Sequence, residues 1–110
     1  MVIEKTLKIP IFGNKIKVVI FDNLEEIRNK YHIVGNPIGC TIEYADKAVI
    51  AIPSGDIFTL IHECVHAKNI TKKYIGQIPN SDNDELDAYL LTYLCARVKA
   101  IMDKHIASKC

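Results

Sequence analysis

Two histidines and a glutamate stand at a spacing that suits a metal ion. They are His62, Glu63 and His66, in the pattern H-E-x-x-H. On an α-helix, residues four apart are separated by about 400° of rotation, so both imidazoles project from nearly the same face. Glu63 lies about 100° from His62 and about 60° from His66, so it faces the same cleft. The motif therefore predicts a zinc site with a carboxylate beside it that could act on water.

A catalytic zinc ion takes three protein ligands and keeps a further position for water or substrate. The acidic stretch that begins at Asp82 could supply the third ligand. We favour Glu85, which follows His66 by 85 − 66 = 19 residues. Ala88 lies one turn later, and its small side chain would let this helix approach the zinc helix closely. Asp82 and Asp84 are alternatives, and some of these acids could simply stabilise the positive end of a helix.

The surrounding sequence predicts the elements that must position these residues. β-Branched and alternating apolar residues indicate two hairpins, at 3–9 with 15–21 and at 41–44 with 48–52. Three helices are predicted, at 24–31, at about 55–70 and from about 81 to 104. Asp22 or Asn23 could cap the first, and Ser54 could cap the second, which carries the motif. The order of elements indicates one α+β domain over residues 1–110.

Composition excludes several classes of function. Lys plus Arg number 14 and Asp plus Glu 13, a net charge of +1, and the basic residues are scattered, so no nucleic-acid partner is expected. No apolar run approaches the roughly 20 residues that cross a bilayer, and the charged N-terminus does not resemble a signal peptide. We expect a cytoplasmic protein, a monomer or weak homo-oligomer. Its four cysteines form no C-x-x-C pair and are expected to be free thiols.

The pattern His62-Glu63-x-x-His66, followed by Glu85-x-x-Ala88, resembles the gluzincin branch of the zincin metallopeptidases. The stretch 85–91 is similar to the glutamate helix of compact gluzincins, including the ImmA/IrrE-type and phage-associated ones. The likeness covers residues 41–97, and it departs where Tyr89 stands in place of the asparagine usual in the ImmA/IrrE pattern. It implies a small mixed sheet with an edge strand beside the cleft, a zinc-bearing helix and a C-terminal glutamate helix.

The resemblance also implies an activity, the hydrolysis of peptide bonds in a peptide or protein substrate. Zn²⁺ would be held by His62, His66 and Glu85, with Glu63 as the general base. A further residue should donate a hydrogen bond to the developing oxyanion. Tyr74, expected in a loop after the zinc helix, is favoured for this role; the alternatives are Tyr89, Tyr93 and His105. An acid that orients one of the zinc histidines is expected too, with Asp84 and Asp87 as candidates.

Other residues that could do chemistry have simpler interpretations. Cys64 and Cys95 are expected in the core, and His32 and His105 on the surface. The terminal Cys110 could reach the open zinc position as an inhibitor, although chain ends are usually just disordered.

Two other functions remain open from the sequence. The chain could be a zinc-bound module that binds peptides or proteins without cutting them. It could also be a metal-free structural protein that oligomerises through the apolar face of its last helix. Metal content separates the structural protein from the other two, and a Glu63→Gln variant separates the peptidase from the binding module.

Overall fold

The computed structural model, which describes residues 1–10, 12–74, 76 and 84–109, is a four-stranded sheet with two long helices. This confirms the predicted α+β class. The strands are β1 (Val2–Lys8), β2 (Lys15–Phe21), β3 (Cys40–Glu43) and β4 (Lys47–Pro53). The helices are α1 (Ile57–Tyr74) and α2 (Asp84–Ala107), and one 3₁₀ turn covers Leu24–Glu26. No helix in these ranges is long and apolar enough to cross a membrane.

The sheet is open and mixed, with β3 at one edge. Its strand order is β1-β2-β4-β3. Both predicted hairpins are present as antiparallel pairs, β1 with β2 and β3 with β4, while β2 and β4 run parallel. The second hairpin closes where the Tyr44 amide donates to the Lys47 carbonyl at 2.8 Å. Because β3 pairs with β4 alone, its other edge is free of strand partners among the described residues.

The two faces of the sheet are buried under different parts of the chain. Ile16, Val18 and Ile20 of β2 point into the larger core, which α1 and α2 cover. Val19 and Phe21 point the other way, against a smaller cluster built around Ile27 and Tyr31 in the β2–β3 connection. The central strands are therefore covered on both sides, which explains their nearly continuous runs of β-branched residues.

The motif helix begins and ends later than the sequence predicted. Asp56, rather than Ser54, caps it, because its carboxylate accepts the Thr59 amide at 3.0 Å. The helix continues to Tyr74 rather than ending at about residue 70, so Lys72 lies inside it and is fully buried. A salt bridge with Asp87 of α2, 2.5 Å between Lys72 Nζ and Oδ1, compensates that buried charge.

Two further predictions are corrected by local contacts. The helix expected at 24–31 is only one 3₁₀ turn, capped by Asn23 and Glu26, which accept each other's backbone amides. His105 is fully buried rather than on the surface. Its Nδ1 lies 2.9 Å from the Ser54 hydroxyl and its Nε2 lies 3.2 Å from the Met1 carbonyl. His105 thus joins the end of α2 to the first residue and to the β4–α1 loop.

Candidate metal centre

The motif residues lie together in the first half of α1, as the helical spacing predicts. Both imidazoles are exposed and Glu63 is buried. The ring centroids of His62 and His66 are 5.0 Å apart, with 73° between the ring planes. One potential ligand atom from each of the three residues lies within 4.8 Å of the others. Two nitrogens bound to one zinc at 2.0–2.1 Å are at most about 4.2 Å apart, so small side-chain rotations suffice for the pair to fit the ion.

Glu63 is a buried carboxylate with few partners. Only 5% of its side chain is exposed. The Thr41 hydroxyl of β3 donates to its Oε2 at 2.8 Å, and His62 Nε2 lies 3.8 Å from its Oε1. Within the described residues, no lysine or arginine pairs with it. Burying a carboxylate without a lysine or arginine is costly, which indicates that the position serves chemistry rather than stability.

A cleft of about 760 Å³ separates α1 from the edge strand. His62, Glu63 and His66 form part of one wall, and Cys40 and Thr41 of β3 form part of the other. At one end Lys73 of α1 forms a salt bridge with Glu43 of β3, with 3.0 Å between Lys73 Nζ and Glu43 Oε2. The cleft is large enough for several residues of a peptide, and its strand wall has the free backbone edge to which an extended chain can pair.

The sequence did not point to Gly39, which sets the distance between the two walls. A Cβ at this position would lie 2.5 Å from the Thr59 Cγ2 atom, 2.9 Å from the Ala51 carbonyl and 3.5 Å from the Glu63 Cγ atom. Only glycine therefore lets the chain entering β3 pass this close to α1. Thr41 was not identified either. A glycine just before the strand beside the motif helix was the one available indication of a close approach.

The predicted third ligand does not join this group. Glu85 is the second residue of α2 and is exposed, and the group of possible ligands found in the described part of the chain contains only the three motif residues. Of the alternatives, Asp82 lies outside the described residues, as does the side chain of Asp84. Asp87, a candidate for orienting a histidine, instead forms salt bridges with Lys68 and Lys72. The assignment of Glu85 stays a prediction.

The candidates for the oxyanion donor lie elsewhere. Tyr74 is the last residue of α1 rather than part of the following loop, and it lines a neighbouring cavity instead of the cleft. Tyr89 is 72% exposed on α2, and Tyr93 packs against the core. His105 is committed to the contacts with Ser54 and Met1. The described walls of the cleft contain no tyrosine, and the role given to Tyr74 stays a prediction.

The described cysteines are free thiols, as expected. Cys64 is buried, and burial, reinforced by the neighbouring Cys95, raises the pKa of its thiol. Cys40 lines the cleft; burial and, to a smaller degree, the charge of Glu63 raise the pKa of its thiol as well. Both thiols therefore favour the protonated, poorly nucleophilic form. Cys110, the proposed inhibitory ligand, lies outside the described residues.

Comparison with models of known protein families, with curated proteins and with solved structures finds no match.

Proposed function

We propose that this protein is a zinc-dependent peptidase that hydrolyses a peptide bound in the cleft between α1 and β3. The observation that carries the proposal is the burial of Glu63 beside two exposed imidazoles one helical turn apart. A purely structural histidine pair would give no reason to bury a carboxylate that lacks a lysine or arginine partner. The free edge of β3 supports a peptide as the substrate, because such an edge can hydrogen-bond to an extended chain.

Each residue then has a defined task. His62 and His66 would hold the ion, and Glu85 is proposed as the third ligand. A zinc ion at this position would polarise the scissile carbonyl and make water acidic enough to lose a proton near neutral pH. Glu63 would accept a proton from the attacking water at its carboxylate and pass it to the leaving amine. Thr41 holds Glu63 in place through its hydroxyl, so that the oxygen facing His62 stays available.

The experiment that tests this proposal measures zinc and cleavage separately. Elemental mass spectrometry on the purified chain should find about one zinc per chain, and a His62→Ala, His66→Ala double variant should lose it. Glu85→Ala should also lose zinc if Glu85 is the third ligand. Cleavage is then followed with a pool of quenched fluorescent peptides. Glu63→Gln should keep the zinc and cut more slowly by a factor of about 10² to 10⁴.

Two results would end the proposal in different ways. If the wild type takes up no zinc even after it is added back, both the metal site and the peptidase fail. If zinc binds but wild type and Glu63→Gln are equally inactive, the protein is a zinc-bound module that holds peptides without cutting them.

A further inference from the structure

The cleft continues into a second cavity at the β3–β4 turn. This turn cavity, of about 260 Å³, shares Glu43, Ile70 and Lys73 with the cleft. Lys15 and Lys47, the first residues of β2 and β4, also line it, together with Asp46 of the turn. A peptide that follows β3 away from the histidines would reach the turn cavity by passing over the Lys73–Glu43 salt bridge, which is exposed at the surface.

Like charges are aligned at this end of the sheet. The strand register pairs Lys8 with Lys15, and Lys15 with Lys47, so three lysines form a row across β1, β2 and β4. Like charges on directly paired residues destabilise a sheet. Within the described residues, no carboxylate lies within ion-pair distance of any of the three. The ammonium of Lys47 instead lies 5.7 Å from the centre of the Tyr44 ring.

The same cavity is lined by a buried polar side chain whose oxygen has no hydrogen-bond donor among the described residues. Asn14 is only 4% exposed, and its amide nitrogen donates to the Thr71 hydroxyl at 2.9 Å. Its Oδ1 has no hydrogen-bond donor in the described part of the chain. A buried carbonyl oxygen without a donor is costly, and a peptide N–H could supply the missing bond.

We propose that the turn cavity is a binding subsite for a carboxylate of the peptide held in the cleft, with Lys15 and Lys47 as the residues that recognise it. This proposal rests on the proposed function in one respect: it assumes that a peptide occupies the cleft. Lys73 follows His66 by seven residues, a rise of about 10 Å along the helix. An extended peptide advances about 3.3 Å per residue, so the acidic group should stand about three residues from the metal site.

Peptide binding followed by NMR tests this subsite without any need for cleavage. The ¹⁵N-labelled full chain carries Glu63→Gln, so that the peptide stays intact. The probes are acetyl-Glu-Ala-Ala-Ala-Glu-amide, which offers an acid in either chain direction, and the same peptide with glutamine at both ends. A third probe has glutamine at both ends and a free C-terminal carboxylate, which distinguishes a chain end from an acidic side chain.

A carboxylate-bearing peptide should bind about fivefold more tightly than the capped glutamine peptide, the ratio expected when two partly exposed lysines together contribute about 1 kcal/mol. The amide signals of Asn14, Lys15 and Lys47 should shift. In the Lys15→Gln, Lys47→Gln double variant, the carboxylate-bearing and capped glutamine peptides should bind about equally. Lys15→Gln alone should reduce the preference for the carboxylate-bearing peptide. The matched control is Lys99→Gln, because Lys99 lies on α2 and pairs with Asp103; it should leave the ratio unchanged.

The proposal is overturned if the acidic and capped glutamine peptides bind equally, if neither binds, or if the preference survives in the double variant. The outcome does not depend on zinc or catalysis. A preference for acid without cleavage by the wild-type chain would keep the subsite and remove the peptidase.

Discussion

Removing the hydroxyl that holds Glu63 should measurably destabilise the protein, and the size of the effect should depend on the charge of Glu63. Thr41 Oγ1 donates the one hydrogen bond that the described residues make to this buried carboxylate. A hydrogen bond to a charged group is worth about 1.5–3 kcal/mol, against about 0.5–1.5 kcal/mol for a neutral one. Thr41→Val removes the donor and keeps the side-chain shape. We therefore expect it to lower the free energy of unfolding by about 2 kcal/mol in the wild type and by about 1 kcal/mol in Glu63→Gln.

Urea unfolding of the zinc-free chain, followed by circular dichroism, measures both values in one double-mutant cycle. Thr41→Ser is the matched control. It keeps the hydroxyl and loses one methyl group, so it should cost no more than about 0.8 kcal/mol. The reasoning is wrong if Thr41→Val changes stability by less than about 0.5 kcal/mol, a typical effect of an unconstrained surface substitution. It is also wrong if the cost is the same in Glu63→Gln, because the hydroxyl would then not be responding to the carboxylate.

The remaining predictions concern the packing that supports the site. Asp87→Asn leaves the buried Lys72 ammonium unpaired and should lower the melting temperature by about 10–20 °C, whereas Lys72→Met should be close to neutral in the same thermal scan. The adjacent Lys72 ammonium lowers the pKa of Asp87 below its unfolded value of about 3.9, so this stabilisation is present above that pH and is lost on further acidification. The melting temperature of Asp87→Asn should therefore fall less than that of the wild type between pH 7 and pH 3. Gly39→Ala should cost about 1–3 kcal/mol by urea unfolding, and adding Thr59→Ser should recover part of it, because it removes the methyl group at 2.5 Å; no recovery would contradict the close contact.

The features that could be predicted from the sequence are those fixed within one element or between neighbouring ones. The shared face of His62 and His66 follows from helical geometry alone, and the structure confirms it. Both hairpins follow from short-range turn and strand patterns. The cap at Asp56 could not be told from one at Ser54, because both residue types cap helices and adjacent positions compete. Ser54 was free for another role because tertiary contacts bring His105 to it.

The features that could not be predicted depend on how distant segments meet. The sequence gives no indication that Thr41 would reach Glu63, since 22 residues separate them and the contact needs β3 at the edge of the sheet. Lys72 falls beyond the predicted end of the motif helix because Gly76 and Pro79 indicate a loop after it. Its burial depends on Asp87, which lies on the other helix. Each of these residues acts through a partner that local periodicity does not identify.

The role of Glu85 depends both on its position in the sequence and on how two distant helices pack. Its distance along the chain suits a third zinc ligand, but whether its carboxylate reaches the histidines depends on how α2 is rotated against α1. Asp87 forms salt bridges with Lys68 and Lys72 that help to fix that rotation, and Glu85 is exposed in this arrangement. If Glu85 is the third zinc ligand, these salt bridges must break or rearrange before its carboxylate can reach the two histidines. Asp87→Asn should in that case lower stability while leaving zinc affinity unchanged or raising it. A loss of zinc affinity in this variant would instead mean that the salt bridges hold α2 in the arrangement that binds the metal.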